Sequence, residues 1–184
     1  RAGAEEGGDN VLYVVCGYPA SGKSTWCRKA VQQQPGAILF DMDALRAAIT
    51  AAGAHDQRMA QSVGRLLNDT AHMWEESFAA YGVEDMYLIR MAPTDSEAEA
   101  YMASDRVQMI LIDTPKEICL ERAKARGDFD LMAFGKACGR VDRFVRAYGS
   151  QLLTIPPTST PLNLCLGRAG KLELFPTTRT WESF

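Results

Sequence analysis

The sequence predicts an α/β fold, a parallel sheet of about five strands covered by helices on both faces. Three observations carry this. Short continuous apolar runs, led by "VLYVVC" (11–16), recur along the chain, and a strand buried on both faces of a parallel sheet has that composition. Segments of helical period separate the runs in the order βαβααβαβααβ, and such alternation builds parallel sheets. The first run opens into "GYPASGKST" (17–25), a turn of distinctive spacing that a helix follows. With 184 residues, 47% of them hydrophobic, the chain is long enough for one sizeable core and too apolar for disorder.

The elements follow in order. Residues 1–10, "RAGAEEGGDN", are small and polar and are expected to form a loose leader. After the strand at 11–16, a helix starts near Gly22 and runs to about Gln34, where Pro35-Gly36 stops it. "AILF" (37–40) is a second buried strand, and "DALRAAITAA" (43–52) a helix ended by Gly53. From about Gln57 to Tyr81, Met59, Val63, Leu66, Leu67, Thr70, Trp74 and Phe78 mark one helical stripe. "MYLIRMA" (86–92) is the third strand. Thr94 and Glu97 form a capping box for the helix at 94–104. "VQMILID" (107–113) is the fourth strand, and Pro115 opens a helix that reaches Gly127. A helix at about 131–148 and a fifth strand, "QLLTI" (151–155), complete a domain spanning 11–155. Residues 156–184 form an extension rich in Pro, Thr and Gly, either irregular or a hairpin pairing "LNLCLG" with "KLELF".

Charge and cysteines narrow the function. The net charge of −3 gives no general attraction to nucleic acid or anionic membrane, but the charge is uneven. Residues 1–113 hold 9 Lys+Arg against 16 Asp+Glu, whereas residues 114–150 hold 8 against 5, a local basic balance suited to a phosphorylated ligand. The five cysteines are scattered and never spaced C-x-x-C, which argues against a zinc site or disulfide scaffold and fits a reducing, cytoplasmic setting. No run reaches the roughly 18 apolar residues of a membrane span, so no membrane partner is expected.

The opening stretch carries the chemistry. A glycine, four residues, then Gly-Lys-Ser is the spacing of a phosphate-binding P-loop, and with its flanking strand and helix it marks a P-loop NTPase. Gly17 and Gly22 permit backbone conformations that side chains forbid. The N–H groups of Gly17, Ala20, Ser21, Gly22, Lys23, Ser24 and Thr25 can then gather around phosphate oxygens. Lys23, exposed until phosphate arrives, reaches the β- and γ-phosphates, and Ser24 sets its hydroxyl on Mg²⁺, so ATP and Mg²⁺ are the expected cofactors.

"GYPASGKSTWCRKAV" followed by "FDMDALR" resembles the P-loop kinases grouped around the phage-type polynucleotide 5′-kinases, a broad set that includes zeta toxins and small AAA-labelled phage ATPases. The resemblance covers about residues 11–150. It implies a kinase that passes the γ-phosphoryl group of ATP to a hydroxyl acceptor, such as a nucleic-acid 5′ end or a small nucleotide. It implies that Asp43 takes the acceptor's proton and Arg46 clamps an acceptor phosphate. It also implies that Arg122 and Arg126, in the lid-like "CLERAKARG", stabilise the transferring group. The third strand departs from the family pattern, with Arg90 where an acid is expected. Asp41 is the residue that can take over the metal role through a water, while Asp113 ends the next strand.

Structural roles compete at each position. An Asp at 43 also caps a helix, Arg46 and the lid arginines also suit a solvated face, and Trp26 suits packing better than base stacking. His55 and His72 are too far apart to suggest a metal pair. Lys136, Arg140 and Arg143 form a basic stripe that suits either a phosphate-bearing substrate or solvent. The competing function is a nucleotide-binding ATPase module that acts as a switch or assembly partner.

Overall fold

The computed structural model describes residues 10–50, 61–81, 83–126, 129–156, 164–166 and 172–174. The expected architecture is present. Strands β1 (Val11–Cys16), β2 (Ile38–Phe40), β3 (Asp85–Ile89), β4 (Val107–Ile112) and β5 (Leu153–Ile155) form one sheet in the order β2-β3-β1-β4-β5. Every pairing in it is parallel.

Period two along β1 divides the core between the two faces. Leu12, Val14 and Cys16 point to one side with Ala71, Ala98, Tyr101 and Phe144. These partners come from helices α3 (Gln61–Ser77), α4 (Asp95–Met102) and α6 (Leu131–Tyr148). Tyr13 and Val15 point to the other side, against Trp26, Cys27 and Ala30 of α1 (Lys23–Gln33). Trp26 therefore packs the helix onto the sheet, edge-on to Tyr87 with ring centroids 6.1 Å apart. A third cluster, Cys119, Phe134 and Cys138, joins α5 (Lys116–Ala125) to α6 beside Tyr18.

Several boundaries differ from expectation. The third strand stops at Ile89 rather than residue 92, although the backbone beyond it stays bonded to β1 and to the start of the next loop: Arg90 N–H donates to Val15 O at 3.0 Å and Met91 O accepts from Gly17 N–H at 3.1 Å. Helix α2 (Met42–Thr50) starts one residue early. The long helix gives way to a 3₁₀ turn at Phe78–Tyr81, and its expected start and His55 lie outside the described residues. Its buried line is Leu67, Ala71 and Phe78, while Leu66, one residue off that line, is 57% exposed. The Thr94–Glu97 capping box forms on α4 as expected. The extension holds a hairpin, with β6 (Leu164–Leu166) antiparallel to β7 (Leu172–Leu174). Among the described residues, no helix is long and apolar enough to cross a membrane, and Cys16, Cys27, Cys119 and Cys138 are free thiols.

Candidate phosphate-transfer site

The loop at the end of β1 is held in shape by its neighbours. Gly17 has φ 143°, and a Cβ there would lie 2.9 Å from Ile112 O, so no side chain fits. Ala20 at φ 62° and Gly22 at φ 100° turn the chain back toward α1. For a residue with a Cβ the left-handed conformation of Ala20 is strained, and such strain gathers at functional loops. Ser21 is buried. Its N–H donates to Tyr18 O at 3.1 Å, and its carbonyl accepts the Thr114 hydroxyl at 2.7 Å. Gly22 caps α1 and supplies no side-chain acceptor. The first N–H groups of α1, including those of Lys23, Ser24 and Thr25, are therefore left to an anion. This cradle fits a phosphate.

Lys23 differs from the exposed residue that the sequence suggests. Its Nζ donates to Gly17 O at 2.8 Å, to Tyr18 O at 2.6 Å and to Ser21 Oγ at 3.4 Å. An ammonium set among buried groups takes the oxygens within reach. Burial lowers its pKa to about 8, against the opposing effects of Cys16, Cys119, Cys27 and Asp43. Ser24 follows half-buried and Thr25 exposed.

Across the same rim, β2 runs into α2. It is Asp41, not Asp43, that does the capping. Its Oδ1 accepts from Asp43 N–H at 3.1 Å and Ala44 N–H at 3.4 Å, and its Oδ2 lies 3.3 Å from Arg28 Nη2. Among the described residues the Asp43 side chain has no backbone partner, and its Oδ1 pairs with Arg46 Nη1 at 3.1 Å, one turn along α2. Asp43 is also near enough to Lys23 for its charge to raise the lysine's pKa.

Helix α5 brings one of the two lid arginines to the loop. Arg122 Nη1 lies 3.5 Å from Ala20 O, and 3.9 Å from where a Cβ on Gly22 would stand. Arg126 ends α5 exposed, its backbone N–H bonded to Ala123 O at 3.2 Å; among the described residues no hydrogen bond or ion pair holds its side chain.

The profile of a family described as an AAA domain matches residues 12–137, more than half of the sequence. The chain belongs to this AAA domain family. No curated protein shows significant sequence similarity to it. Among solved structures, the AAA domain is similar to a chain of the Pnkp1/Rnl/Hen1 RNA repair complex, with TM-score 0.59 and 16% identity over 78% of this chain and 48% of that one. It thus spans about half of that relative. A sugar kinase from Janibacter sp. is similar at TM-score 0.57 and 15% identity, over 83% of this chain and 88% of that one. Shikimate kinase from Aquifex aeolicus is similar at TM-score 0.55 and 15% identity, over 83% and 89%. At such identities the likeness establishes the fold, that of P-loop kinases.

Within this AAA domain, Arg90 is a structural residue. It is 10% exposed, and its Nη2 lies 3.1 Å from Glu75 Oε1 and 3.5 Å from Glu97 Oε1. The acids that an arginine needs there come from α3 and α4, and Tyr101 donates to Glu75 at 3.0 Å. His72 sits at the edge of the same cluster, 3.5 Å from Glu75, as a structural role requires.

Sequence reasoning missed four residues that hold the loop, Tyr18, Asp142, Lys116 and Thr114. Tyr18 OH donates to Asp142 Oδ1 at 2.5 Å, and Lys116 Nζ reaches Asp142 Oδ2 at 2.7 Å while lying 5.3 Å above the Tyr18 ring. Lys116, first by its hydrogen bond, and then Tyr18 hold the Asp142 carboxyl below its ordinary range. This ties α6 to the phosphate loop across more than a hundred residues, and no local pattern signals it. Thr114 carried a faint signal, a hydroxyl directly after an apolar strand ending in acid.

Proposed function

We propose that the chain is an ATP-dependent kinase that transfers the γ-phosphoryl group to a hydroxyl acceptor, with a nucleic-acid 5′ end or a small nucleotide as the acceptor class. The observation that carries this reading is the placement of Asp43: released from capping by Asp41, paired with Arg46, and electrostatically coupled to Lys23. Binding a nucleotide needs no such carboxylate. Transfer to an alcohol does, because the hydroxyl must be oriented and its proton accepted.

The roles follow from position. The Gly17–Thr25 backbone and Lys23 bind the triphosphate. Lys23 leaves its carbonyl partners for the β- and γ-phosphate oxygens. Arg122 extends from Ala20 O toward the transferring group, where a guanidinium meets the spread negative charge. Arg126 joins it from the next turn of α5. Arg46 holds an anionic group of the acceptor with its fork.

The donor set also suits Mg²⁺, with Ser24 as the direct oxygen ligand and Asp41 acting through water, since both Asp41 oxygens already have protein partners. The ion would neutralise charge on the phosphates.

Incubating the protein with ATP labelled in the γ position and a panel of 5′-hydroxyl oligonucleotides, nucleosides and sugars tests this. Label should appear on one class of acceptor. Slow ATP hydrolysis with no labelled acceptor would instead establish the switch module. Arg90 at the end of β3, where the resembled kinases place an acid, is the observation that favours that second reading.

A further inference from the structure

Helix α6 presents Lys136, Arg140 and Arg143 at i, i+4 and i+7, along one side. All three are exposed, and among the described residues no carboxylate lies within ion-pair distance of any of them. The acid nearest in sequence, Asp142, is engaged elsewhere, by Lys116 at 2.7 Å and Tyr18 at 2.5 Å. Gly139 stands three residues after Lys136 and four before Arg143, so it floors the space between them. A Cβ at Gly139 would meet nothing within 4 Å. An open depression of about 510 Å³ lies over this floor, lined among the described residues by Lys136, Gly139, Arg140 and Arg143. Cations ringed around an open floor, with no counter-charge among the described residues, form an anion site.

The depression adjoins the phosphate loop. Arg140 Nη2 lies 4.0 Å from Met91 Sδ, and the Met91 carbonyl accepts the Gly17 N–H at 3.1 Å. Its shape bears on what it holds. From Lys136 to Arg143 the helix advances roughly 10 Å, seven residues at about 1.5 Å each. A single phosphate group would use one end of such a row, whereas successive phosphodiesters use all of it.

We propose that this depression binds the sugar–phosphate backbone of a single-stranded nucleic acid and lays the strand beside the phosphate loop. Only the strand's role as acceptor rests on the kinase reading; the binding itself needs no transfer. Electrostatic capture by a few exposed cations is compatible with a chain whose net charge is −3, because screening confines each charge to its own neighbourhood.

The test is fluorescence anisotropy of a short labelled 5′-hydroxyl oligonucleotide with the full chain, without ATP, over a range of salt. Gly139→Glu plants a carboxylate among the three cations, in open space and in place of a helix-interior glycine, so the helix tolerates it. Affinity should fall by at least about tenfold. The slope of log affinity against log salt should shrink by about 0.7, the share of the one phosphate contact that a single added carboxylate offsets. Gly139→Gln, the same size without the charge, should bind within about twofold of the parent. The double variant Lys136→Glu/Arg143→Glu should reproduce the loss, with folding verified by thermal melting.

Equal affinity and equal salt slope in Gly139→Glu would overturn the proposal. So would competition by a hexose phosphate as effective as that by unlabelled oligonucleotide, or binding to anionic lipid vesicles in place of the oligonucleotide. Charge-dependent oligonucleotide binding without phosphoryl transfer to any acceptor sinks the kinase reading and leaves this one standing. Transfer to nucleosides without oligonucleotide binding does the reverse.

Discussion

The Lys23 ammonium donates to the Tyr18 carbonyl at 2.6 Å, turned back on its own loop. The contact favours the charged form, yet the loop's lysine titrates near neutrality. Burial brings its pKa down to about 8, so a fraction of it is neutral in weakly alkaline solution. A polyanionic nucleotide favours the charged form and returns the proton. Nucleotide binding should therefore take up a proton as pH rises through about 8, and affinity should fall across that window. Calorimetry in buffers of different ionisation enthalpy reads the uptake directly. Lys23→Ala should bind ATP far more weakly and show no uptake.

The same shift bears on stability. The unfolded chain keeps Lys23 protonated up to about 10.4, while the folded chain releases the proton from about 8. The unfolded state thus binds more protons between these values, so Lys23 makes the fold more stable as pH rises through the window. Lys23→Ala should flatten that rise in a series of denaturant titrations. An unchanged slope would place the lysine in solvent.

Arg122 and Arg126 should separate in kinetics. Arg122 already lies 3.5 Å from Ala20 O, beside the phosphate cradle. Arg122→Ala should lower kcat by about 10² to 10³ with a smaller change in KM for ATP, the pattern of an interaction made in the transition state. Arg126→Ala should cost less, since its guanidinium must first travel to the loop. Equal losses in both, confined to KM, would assign the pair to ground-state binding.

Arg90 should matter for folding rather than chemistry. It is 10% exposed, as is Glu75, its partner at 3.1 Å. Removing one member of a buried pair leaves the other charge uncompensated, a loss of about 3–5 kcal/mol. Arg90→Met should therefore melt far below the parent, and adding Glu75→Leu should recover most of the difference. A double variant no more stable than the single would point to Glu97 as the dominant partner, since its carboxylate lies 3.5 Å from the same Nη2.

Much of this was legible in the sequence, because the signals are local. A run such as "VLYVVC" has few places to be buried other than between two layers of helices. The Gly-x₄-Gly-Lys-Ser spacing fixes the phosphate loop, because only glycine tolerates the approach of Ile112 O to residue 17. The capping box at Thr94 and Glu97 needs only three residues of spacing. What was not legible depends on pairs far apart in the chain. Nothing near Arg90 announces Glu75, and nothing near Tyr18 announces Asp142. The exchange of roles between Asp41 and Asp43 turned on a single residue of helix boundary. Sequence pattern resolves boundaries less sharply than that.

That exchange sets the most discriminating prediction. Asp41 holds the first turn of α2 and pairs with Arg28, so its carboxylate has structural duties. The Asp43 side chain has no backbone partner among the described residues and pairs with Arg46. Asp43→Asn keeps the size of the side chain and can still accept from Arg46, but it gives up the basicity that accepts a proton. ATP binding, measured by calorimetry, should persist, because the loop makes it. Phosphoryl transfer at saturating ATP should fall by about 10² to 10⁴, the usual contribution of a positioned base. Asp41→Asn should behave differently. It keeps an oxygen that caps as well as the carboxylate does, so stability should change by no more than a few tenths of a kcal/mol, while the Mg²⁺ concentration needed for half-maximal turnover should rise. Transfer at the parent rate in Asp43→Asn would reduce that residue to a surface partner of Arg46. A shared loss of transfer and of stability in both variants would mean that the first turn of α2 acts as one structural unit, with neither carboxylate acting as the base.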